Sequence, residues 1–165
     1  MIYSVGSIFL DHIIKISSFP KSPIKIVARG IEKRLGGSAA VASFTIKKLG
    51  LDTSFVGRFG DDDASKFLIG ELNKFNIPYK DSIIIKGAQS SQSYVYEDKM
   101  GERLLAAFNE KKLLNNKKLP KISFAKNKTF LADLRWIEAA LYIAKNCYKN
   151  NLDLIVDLDN YTYNS

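Results

Sequence analysis

Residues 36–50 read GGSAAVASFTIKKLG, a glycine pair followed by a helix-compatible run and a closing glycine. The run predicts an α-helix over residues 38–49 that begins behind Gly36 and Gly37 and ends at Gly50, because glycine commonly terminates helices. A glycine pair at a helix N-terminus also lets the backbone approach a ligand closely, with free amides pointing at its oxygens. A simple tight turn before the helix is the other interpretation of the same pair.

The segments on either side of this helix alternate between strand and helix patterns. Short apolar runs predict strands at residues 2–9, 53–56, 82–85, 129–132 and 152–158. Helical periodicity predicts two further helices at residues 62–76 and 137–149. This β-α-β series predicts an α/β fold with a doubly wound parallel sheet, in which ligands bind beyond the carboxyl ends of the strands.

Two other regions have the alternating apolar and polar residues of half-exposed antiparallel strands. They comprise residues 12–16 with 24–31, and residues 93–97 with 103–108. A parallel series interrupted twice by antiparallel ribbon indicates a small second sheet to one side of the main layer.

The composition favours a single folded domain. The chain has 165 residues, of which 46% are hydrophobic and 25% charged, which is typical of a globular protein. Cys147 is its one cysteine, so an internal disulfide and a cysteine-based metal site are excluded and a reducing compartment is favoured. With neither a run of about 20 apolar residues nor a signal-peptide pattern, we expect a cytoplasmic protein without membrane partners.

The net charge of +8 would in principle suit a polyanionic partner. The lysines, however, are scattered, and no arginine-rich face alternates with aromatic residues. We therefore do not predict nucleic-acid binding.

Two acidic positions could belong to a site. Asp11 follows an apolar strand, where a carboxylate can accept hydrogen bonds from sugar hydroxyls, although a turn residue is the other interpretation. Residues 57–62, GRFGDD, connect a strand to a helix, and their aspartates are interpreted as a helix cap.

In combination these motifs resemble the ribokinase-like, or PfkB, family of sugar kinases. The resemblance is carried by Val5-Gly6-Ser7 with Asp11, Phe19-Pro20, residues 36–40 with Leu49-Gly50, and residues 56–62. It implies a three-layer parallel sheet with a small antiparallel β lid, formed by segments at about 11–35 and 88–108. It also implies that Asp11, Gly36 and Gly37 bind the sugar, and that the complete protein dimerises through the lid.

Within that family, residues 90–93, 101–103 and 132–136 are most similar to sulfofructose kinases, which phosphorylate a ketohexose with a distal sulfonate. The similarity implies that Arg135, and less directly Arg103, recognise this anion; an arginine offers a planar fork of donors. An ion-paired strand-end arginine and a solvated lid arginine are the alternatives. Two departures are Val41, where most members have a sugar-binding asparagine, and Ala107, where the subgroup carries a polar lid residue.

The family's Gly-Ala-Gly-Asp motif, which supplies the anion hole and the catalytic aspartate, does not occur before the chain ends at Ser165. A Gly-x-x-x-x-Gly-Lys-Ser/Thr loop is also absent. We therefore expect residues 1–165 to be the N-terminal part of a single kinase domain whose C-terminal half is missing. It would carry no catalytic or metal-binding residue, and the complete kinase would use ATP and Mg.

Two other functions stay open for the chain. One is a non-catalytic sugar-binding or dimerisation module. The other is a Rossmann oxidoreductase, which is less favoured because Gly6-Ser7 is not a Gly-x-Gly-x-x-Gly fingerprint.

Overall fold

The computed structural model describes residues 1–158. Ten strands follow one another along the chain: β1 Ile2–Val5, β2 Phe9–Lys15, β3 Gly30–Gly36, β4 Thr53–Val56, β5 Arg58–Phe59, β6 Ile83–Ile84, β7 Gln92–Glu97, β8 Arg103–Phe108, β9 Thr129–Asp133 and β10 Leu154–Asp157. The helices between them are α1 Ser38–Lys48, α2 Asp63–Lys74, the short α3 Lys111–Leu114 and α4 Ile137–Asn150, with a 3-10 turn at Leu134–Trp136.

The main sheet has four parallel strands in the order β10-β9-β1-β4. Its two faces are covered by different apolar clusters, which makes three layers. Tyr3, Val5 and Phe130 pack with α4 on one face. Phe55 packs with α1 and α2 on the other. The predicted α/β architecture is confirmed, and the burial of β1, β4 and β9 between the two clusters explains their apolar sequences.

The helices lie close to the predicted limits. Helix α1 starts at Ser38, directly after Gly37. Helix α2 is capped by Asp62, whose side chain accepts a hydrogen bond from the Ser65 amide, so the interpretation of this aspartate as a helix cap is confirmed. Within residues 1–158, none of the helices combines the length and apolar character needed to cross a bilayer.

The second sheet has the order β3-β2-β7-β8 and is called the lid below. Strands β2 and β3, and β7 and β8, form two antiparallel hairpins. The two predicted antiparallel ribbons are therefore confirmed, and they are joined by parallel pairing of β2 with β7. Because the hairpins are separated in sequence by α1, α2 and the strands between them, their pairing cannot be read from local alternation.

The strand predicted at residues 24–31 is displaced. Strand β3 begins only at Gly30, where it pairs with Lys15, and ends at Gly36, where it pairs with Phe9. Residues 24–29 lie outside any strand, and Val27 is 82% exposed. Residues 24–27 are apolar enough to suggest a strand. The segment that pairs with β2 is instead the one that follows, with Gly36 at the base of the lid.

Strand β10 pairs with β9 and forms an edge of the main sheet among the described residues. The side chains of Ile155 and Leu158 are exposed there. A sheet edge with exposed apolar residues is open to pairing with a further strand.

The lone cysteine, Cys147, is buried in the apolar cluster beneath α4. Burial raises the pKa of its thiol. The residue therefore behaves as a small core side chain rather than as a reactive thiol.

Candidate functional site

A cleft of about 260 Å³ lies where the base of the lid meets the end of β1, the start of α1 and the turn after β9. Its lining is mostly small and polar: Ser7, Phe9, Asp11, Gly37, Ser38, Ser93, Leu105, Ala107, Asn109 and Arg135. It therefore brings together three of the predicted site residues, Asp11, Gly37 and Arg135, from positions far apart in the sequence. This is the carboxyl end of the parallel strands, as expected for the fold.

Asp11 lies on β2 at the base of the lid and is partly buried. The Ser93 hydroxyl, on the paired strand β7, donates a hydrogen bond of 2.5 Å to Asp11 Oδ1. Burial raises the pKa of Asp11, while the hydrogen bond from Ser93 and the nearby His12 lower it. The hydrogen bond from Ser93 therefore fixes one oxygen of the carboxylate. Because an ionised carboxylate has about four lone-pair sites, Asp11 can still accept hydrogen bonds from the cleft.

Gly36 makes room for that carboxylate. It pairs with Phe9 across the hairpin, and a Cβ atom at this position would lie 2.1 Å from Asp11 Oδ2. Since real Cβ contacts are never this short, a side chain here would displace Asp11. Gly36 therefore leaves space for Asp11 by its lack of a side chain, although it is absent from the residues that line the cleft in the described part of the chain.

Gly37 is required by backbone geometry. Its φ of 96° lies in the region that favours glycine, and a Cβ atom would lie 2.6 Å from the Ser7 carbonyl oxygen. This close approach brings the start of α1 against the loop between β1 and β2. The tight-turn interpretation of the glycine pair is therefore supported alongside its place at the cleft.

The expectation of free amides at the start of α1 is wrong for three of them. The Ser38 amide donates to Ser7 Oγ at 3.1 Å, and the Ala40 amide donates to the Ser7 carbonyl at 3.2 Å. The Ala39 amide donates to Asp133 Oδ2 at 3.1 Å. These amides stabilise the junction between α1 and the sheet and are not left for a ligand.

Asp133 is the residue at this junction that the sequence reasoning did not single out. It is 1% exposed, and its Oδ2 accepts hydrogen bonds from the Ser7 amide at 2.8 Å and the Ser7 hydroxyl at 2.6 Å. Its Oδ1 accepts from the Arg135 amide at 3.0 Å. Gly6 leaves space for it, since a Cβ there would lie 2.3 Å from Asp133 Oδ1. The only available signal was an aspartate directly after a buried strand.

The two predicted arginines occupy different places. Arg135 lies in the 3-10 turn after β9 and lines the cleft. Arg103 lies on β8, where its guanidinium forms an ion pair of 2.6 Å with Glu97. It precedes Ala107 by four residues, about 13 Å along a strand. Among the described residues around the cleft, Arg135 is therefore present and Arg103 is not.

A second, smaller cavity of about 50 Å³ adjoins the cleft. Four residues line both spaces: Ser7, Phe9, Asn109 and Arg135. The deeper wall is formed by Arg58 and Trp136, with the Arg58 guanidinium 4.9 Å from the centre of the indole ring. Sequence reasoning interpreted residues 57–62 through their aspartates and missed this arginine.

The two departures from the family pattern are placed apart. Ala107 lines the cleft, where its methyl group offers no hydrogen bond to a ligand. Val41 lies in a separate groove bounded by α1, α2 and β3. A polar contact expected from position 107 is therefore lost, whereas position 41 is not part of the cleft lining that the structure describes.

Two features of the described residues bear on metal and phosphate binding. Within residues 1–158 there is no group of three or more His, Cys, Asp or Glu side chains placed to hold a metal. The three α1 amides that could have met a phosphate are taken by Ser7 and Asp133. The chemistry that this arrangement can perform is recognition of a polar ligand rich in hydroxyl groups.

The parallel sheet, the lid and the cleft at their junction define a sugar-kinase type of fold. The sequence matches the pfkB family of carbohydrate kinases over residues 1–158, and the chain belongs to this family. The predicted family membership is thereby confirmed.

Two of the relatives are plant proteins. The chain is 27% identical to fructokinase-2 of Zea mays over 103 residues, which is 62% of this chain and 30% of that enzyme. It is 30% identical over 105 residues to the probable fructokinase-3 of Arabidopsis thaliana, covering 62% of this chain and 29% of that protein. The matched segment thus spans less than a third of either relative, and neither comparison supports the sulfofructose kinase subgroup.

Solved structures show the same fold. A nucleoside kinase of Methanocaldococcus jannaschii, an archaeal member of the ribokinase family, superposes with a TM-score of 0.79 at 22% identity, covering 94% of this chain and 51% of that one. Arabidopsis thaliana ribokinase complexed with ribose and ATP superposes with a TM-score of 0.75 at 21% identity, covering 97% and 54%. The chain therefore has the ribokinase-like fold and spans about half the length of these structures.

Proposed function

We propose that this chain is the sugar-recognition part of an ATP-dependent carbohydrate kinase. The observation that carries the proposal is the Asp11 carboxylate, fixed by Ser93 at the base of the lid and facing a cleft lined by hydroxyl and amide groups. Such a carboxylate accepts hydrogen bonds from sugar hydroxyls. Gly36 and Gly37 contribute by allowing Asp11 and α1 to approach the cleft.

A ketohexose is the substrate class we favour, in line with the two fructokinases among the relatives. Arg135 on the cleft wall suits a ketohexose with a distal anionic group, such as sulfofructose, because a guanidinium binds planar or tetrahedral oxyanions with paired donors. Arg103 is proposed to assist only if the lid moves, since it is ion-paired with Glu97 in this conformation.

ATP and Mg belong to the proposed whole kinase. Phosphoryl transfer needs a positioned nucleotide, metal ions that neutralise the developing charge and a base for the accepting hydroxyl. The contribution we propose for residues 1–158 is sugar recognition. We expect it to show no magnesium-dependent ADP release with any sugar in a coupled assay, and turnover that heat treatment abolishes would contradict this.

A dimerisation role is the second candidate, favoured by one face of the lid. Four apolar side chains are exposed on that face according to the strand register: Ile31, Tyr94, Leu104 and Phe108. A contiguous exposed apolar face is typical of an interaction surface. We propose that two copies pair through it, in the cytoplasm.

Sugar binding is tested by calorimetric titration of the chain with fructose. We expect Asp11→Asn to weaken binding by about tenfold or more, since a charged acceptor is lost. Asp63→Asn is the matched control, because Asp63 is an exposed carboxylate on α2. Equal affinities of the Asp11→Asn variant and the unaltered chain would refute the proposed site.

The dimer is tested separately by light scattering. Leu104→Glu places a charge on the apolar lid face and should convert a dimer to a monomer, while sugar affinity is retained. A monomeric unaltered chain, or a Leu104→Glu variant that remains dimeric, would count against lid pairing.

The role of Arg135 is tested by comparing two sugars. If Arg135 recognises a distal anion, Arg135→Ala should weaken binding of 6-deoxy-6-sulfofructose by about tenfold to hundredfold and leave fructose little changed. Equal losses for both sugars would assign Arg135 a structural role and return the substrate to a neutral sugar.

A further inference from the structure

We propose that the groove between β3, α1 and α2 is a binding site for a small organic anion with an aromatic body. The groove lies where β3, at the edge of the lid, meets the two helices. Its volume of about 340 Å³ is within the range of roughly 300 to 1,000 Å³ that is typical of small-molecule sites. None of its described lining residues also lines the cleft, so a ligand of the groove does not depend on sugar binding.

The floor of the groove is apolar and is fixed by the core. Leu35 and Phe44 are partly buried and pack against the apolar cluster beneath α1 and α2. The rings of Phe44 and Phe75 meet edge to face, with their centroids 4.8 Å apart. Because the protein already holds this floor in place, a ligand loses little affinity to ordering it.

Two apolar side chains of the groove leave surface open to solvent. Val41 is 48% exposed near the start of α1, and Phe75 is 38% exposed directly after α2. Burial of apolar surface is favourable in proportion to its area, and a further aromatic ring can pack against Phe75. The floor therefore favours a ligand with an aromatic body over a sugar or another fully polar molecule.

The rim of the groove is positively charged. Three cationic side chains line it: Lys33, Arg34 and Lys48. Glu71 is the one carboxylate among the described lining residues, and it forms an ion pair with Lys74. Arg34 forms an ion pair of 2.7 Å with Glu32. Excess positive charge therefore remains with the two lysines.

Those lysines have no carboxylate partner in the described part of the chain. Within residues 1–158, neither Lys33 nor Lys48 takes part in an ion pair. The pKa of Asp63 is lowered first by its hydrogen bond from Lys66, and the charge of Lys33 contributes least to this shift. Lys33 on β3 and Lys48 on α1 are therefore available to an anionic group that a ligand brings into the groove.

The combination of cations and apolar floor defines the class of ligand. An uncharged aromatic molecule would leave the lysines without a partner, and an inorganic anion would leave the floor exposed. Attraction at an exposed rim is screened by salt, so an inorganic anion alone would bind weakly. A molecule that joins an aromatic ring to a carboxylate or a similar anionic group contacts both parts of the groove.

The site is tested with 2-naphthoate, a fused aromatic ring with one carboxylate, and with 2-naphthalenemethanol as its neutral counterpart. Two-dimensional proton–nitrogen NMR spectra locate each compound on the chain and give its dissociation constant. We expect 2-naphthoate to shift the amides of residues 33–35 and 41–48 with a dissociation constant of about 0.1 to 1 mM. The alcohol should bind about fivefold more weakly, and acetate should produce no saturable shifts.

Exposed variants separate the two parts of the groove. Lys33→Gln combined with Lys48→Gln should weaken 2-naphthoate about fivefold to twentyfold and change the affinity of the alcohol less than about twofold. Lys47→Gln is the matched control, because it removes the same charge from the next position of α1, outside the groove lining. Val41→Ser should weaken both compounds, since it removes apolar surface and no charge. These side chains carry little of the core, and circular dichroism identifies any variant that fails to fold.

Three results would overturn the proposal on the ligand side. Equal affinities of 2-naphthoate and the alcohol would refute recognition of an anion. Equal losses in the double lysine variant and in Lys47→Gln would show that the attraction is not specific to the groove. Shifts centred on β7 and β8, and abolished by Leu104→Glu, would place the ligand on the apolar face of the lid.

Two further results would assign the groove to another occupant and overturn the proposal as well. Shifts of residues 33–35 and 41–48 that grow with protein concentration before any ligand is added would indicate a second copy of the chain. Binding of a synthetic helical peptide of glutamate and phenylalanine at the same amides, about tenfold or more tighter than 2-naphthoate, would indicate a docking site for an acidic protein segment.

Discussion

Two aspartates on either side of the cleft have opposite surroundings. Asp133, at the end of β9, is almost fully buried and accepts hydrogen bonds from Ser7, Ala39 and Arg135. Asp11, on the lid, is only partly buried and accepts one from Ser93. The first carboxylate is saturated by the protein itself, whereas the second retains lone pairs.

This difference separates a carboxylate that holds the protein frame together from one that we propose binds a ligand. Asp133 joins three segments, the loop after β1, the start of α1 and the turn after β9, through donors that would otherwise be buried without partners. Asp11 gains little from the protein, and burial works against its charge. A carboxylate that is poorly compensated in the free protein is suited to accept hydroxyl groups from a ligand.

The largest effect is expected from Asp133→Ala. Removal of the carboxylate leaves the amides of Ser7, Ala39 and Arg135 and a hydroxyl without acceptors, so the free energy of unfolding should fall by about 3 to 5 kcal/mol. Urea unfolding followed by circular dichroism measures it. Asp63→Ala, on the exposed surface of α2, should leave the free energy of unfolding nearly unchanged. Similar losses of stability in the two variants would show that Asp133 stabilises the fold no more than an exposed aspartate does.

The next effect concerns Gly36→Ala. The added methyl group would lie 2.1 Å from Asp11 Oδ2, so it should displace Asp11 and cost about 1 to 3 kcal/mol of stability. Fructose affinity should fall by about tenfold or more.

Gly70→Ala is the matched control for that change. Gly70 lies inside α2 with open space where a Cβ would stand, so alanine there should stabilise the chain by about 0.5 to 1 kcal/mol. Unfolding and calorimetric titration measure both variants. Unaltered sugar affinity in Gly36→Ala would show that Asp11 is not held against Gly36.

A smaller and opposite effect on stability is expected from Asp11→Asn. Because burial raises the pKa of Asp11, the folded chain binds this proton more tightly than the unfolded chain, and stability falls as pH rises from the unfolded value through the folded one. At pH 7 the variant should therefore be as stable as the unaltered chain or slightly more stable, although it binds sugar poorly. Unfolding at pH 7 and pH 4 should show this advantage shrinking in acid.

The sequence predicts the main sheet and its helices well because their signals are local. The apolar runs of β1 and β9 and the glycine that ends α1 depend on neighbouring residues only. Strand β3 is misplaced because its limits are fixed by pairing with β2, and residues 24–27 carry an equally apolar sequence. The parallel junction of β2 with β7 links segments about 80 residues apart, and no local pattern encodes it.

The site is predictable only in part for the same reason. Asp11, Gly37 and Arg135 were recognisable because they stand in motifs with a family resemblance. Asp133 and Arg58 also stand in quoted motifs, but the motifs do not reveal their contacts, which are made with partners more than 50 residues away, such as Ser7 and Leu114. Burial and hydrogen-bond partners distinguish Asp133, which the protein saturates, from Asp11, which retains lone pairs. Neither property can be read from the adjacent sequence.

The smallest expected effect tests the one bond that fixes Asp11. Ser93→Ala removes the hydroxyl that donates to Asp11 Oδ1, and this hydrogen bond lowers the pKa of the carboxyl, so the pKa should rise further in the variant. Sugar affinity should drop only about two- to tenfold near pH 7, because the carboxylate remains but is less well positioned. The loss should grow as pH is lowered, since the variant takes up its proton at a higher pH than the unaltered chain. Calorimetric titrations with fructose across pH 4.5 to 7.5 measure this.

Ser38→Ala, which alters a cleft residue on α1 and leaves Asp11 bonded to Ser93, should not shift the pH profile. A shift of equal size in both variants would mean that the pH dependence of binding does not arise from Asp11.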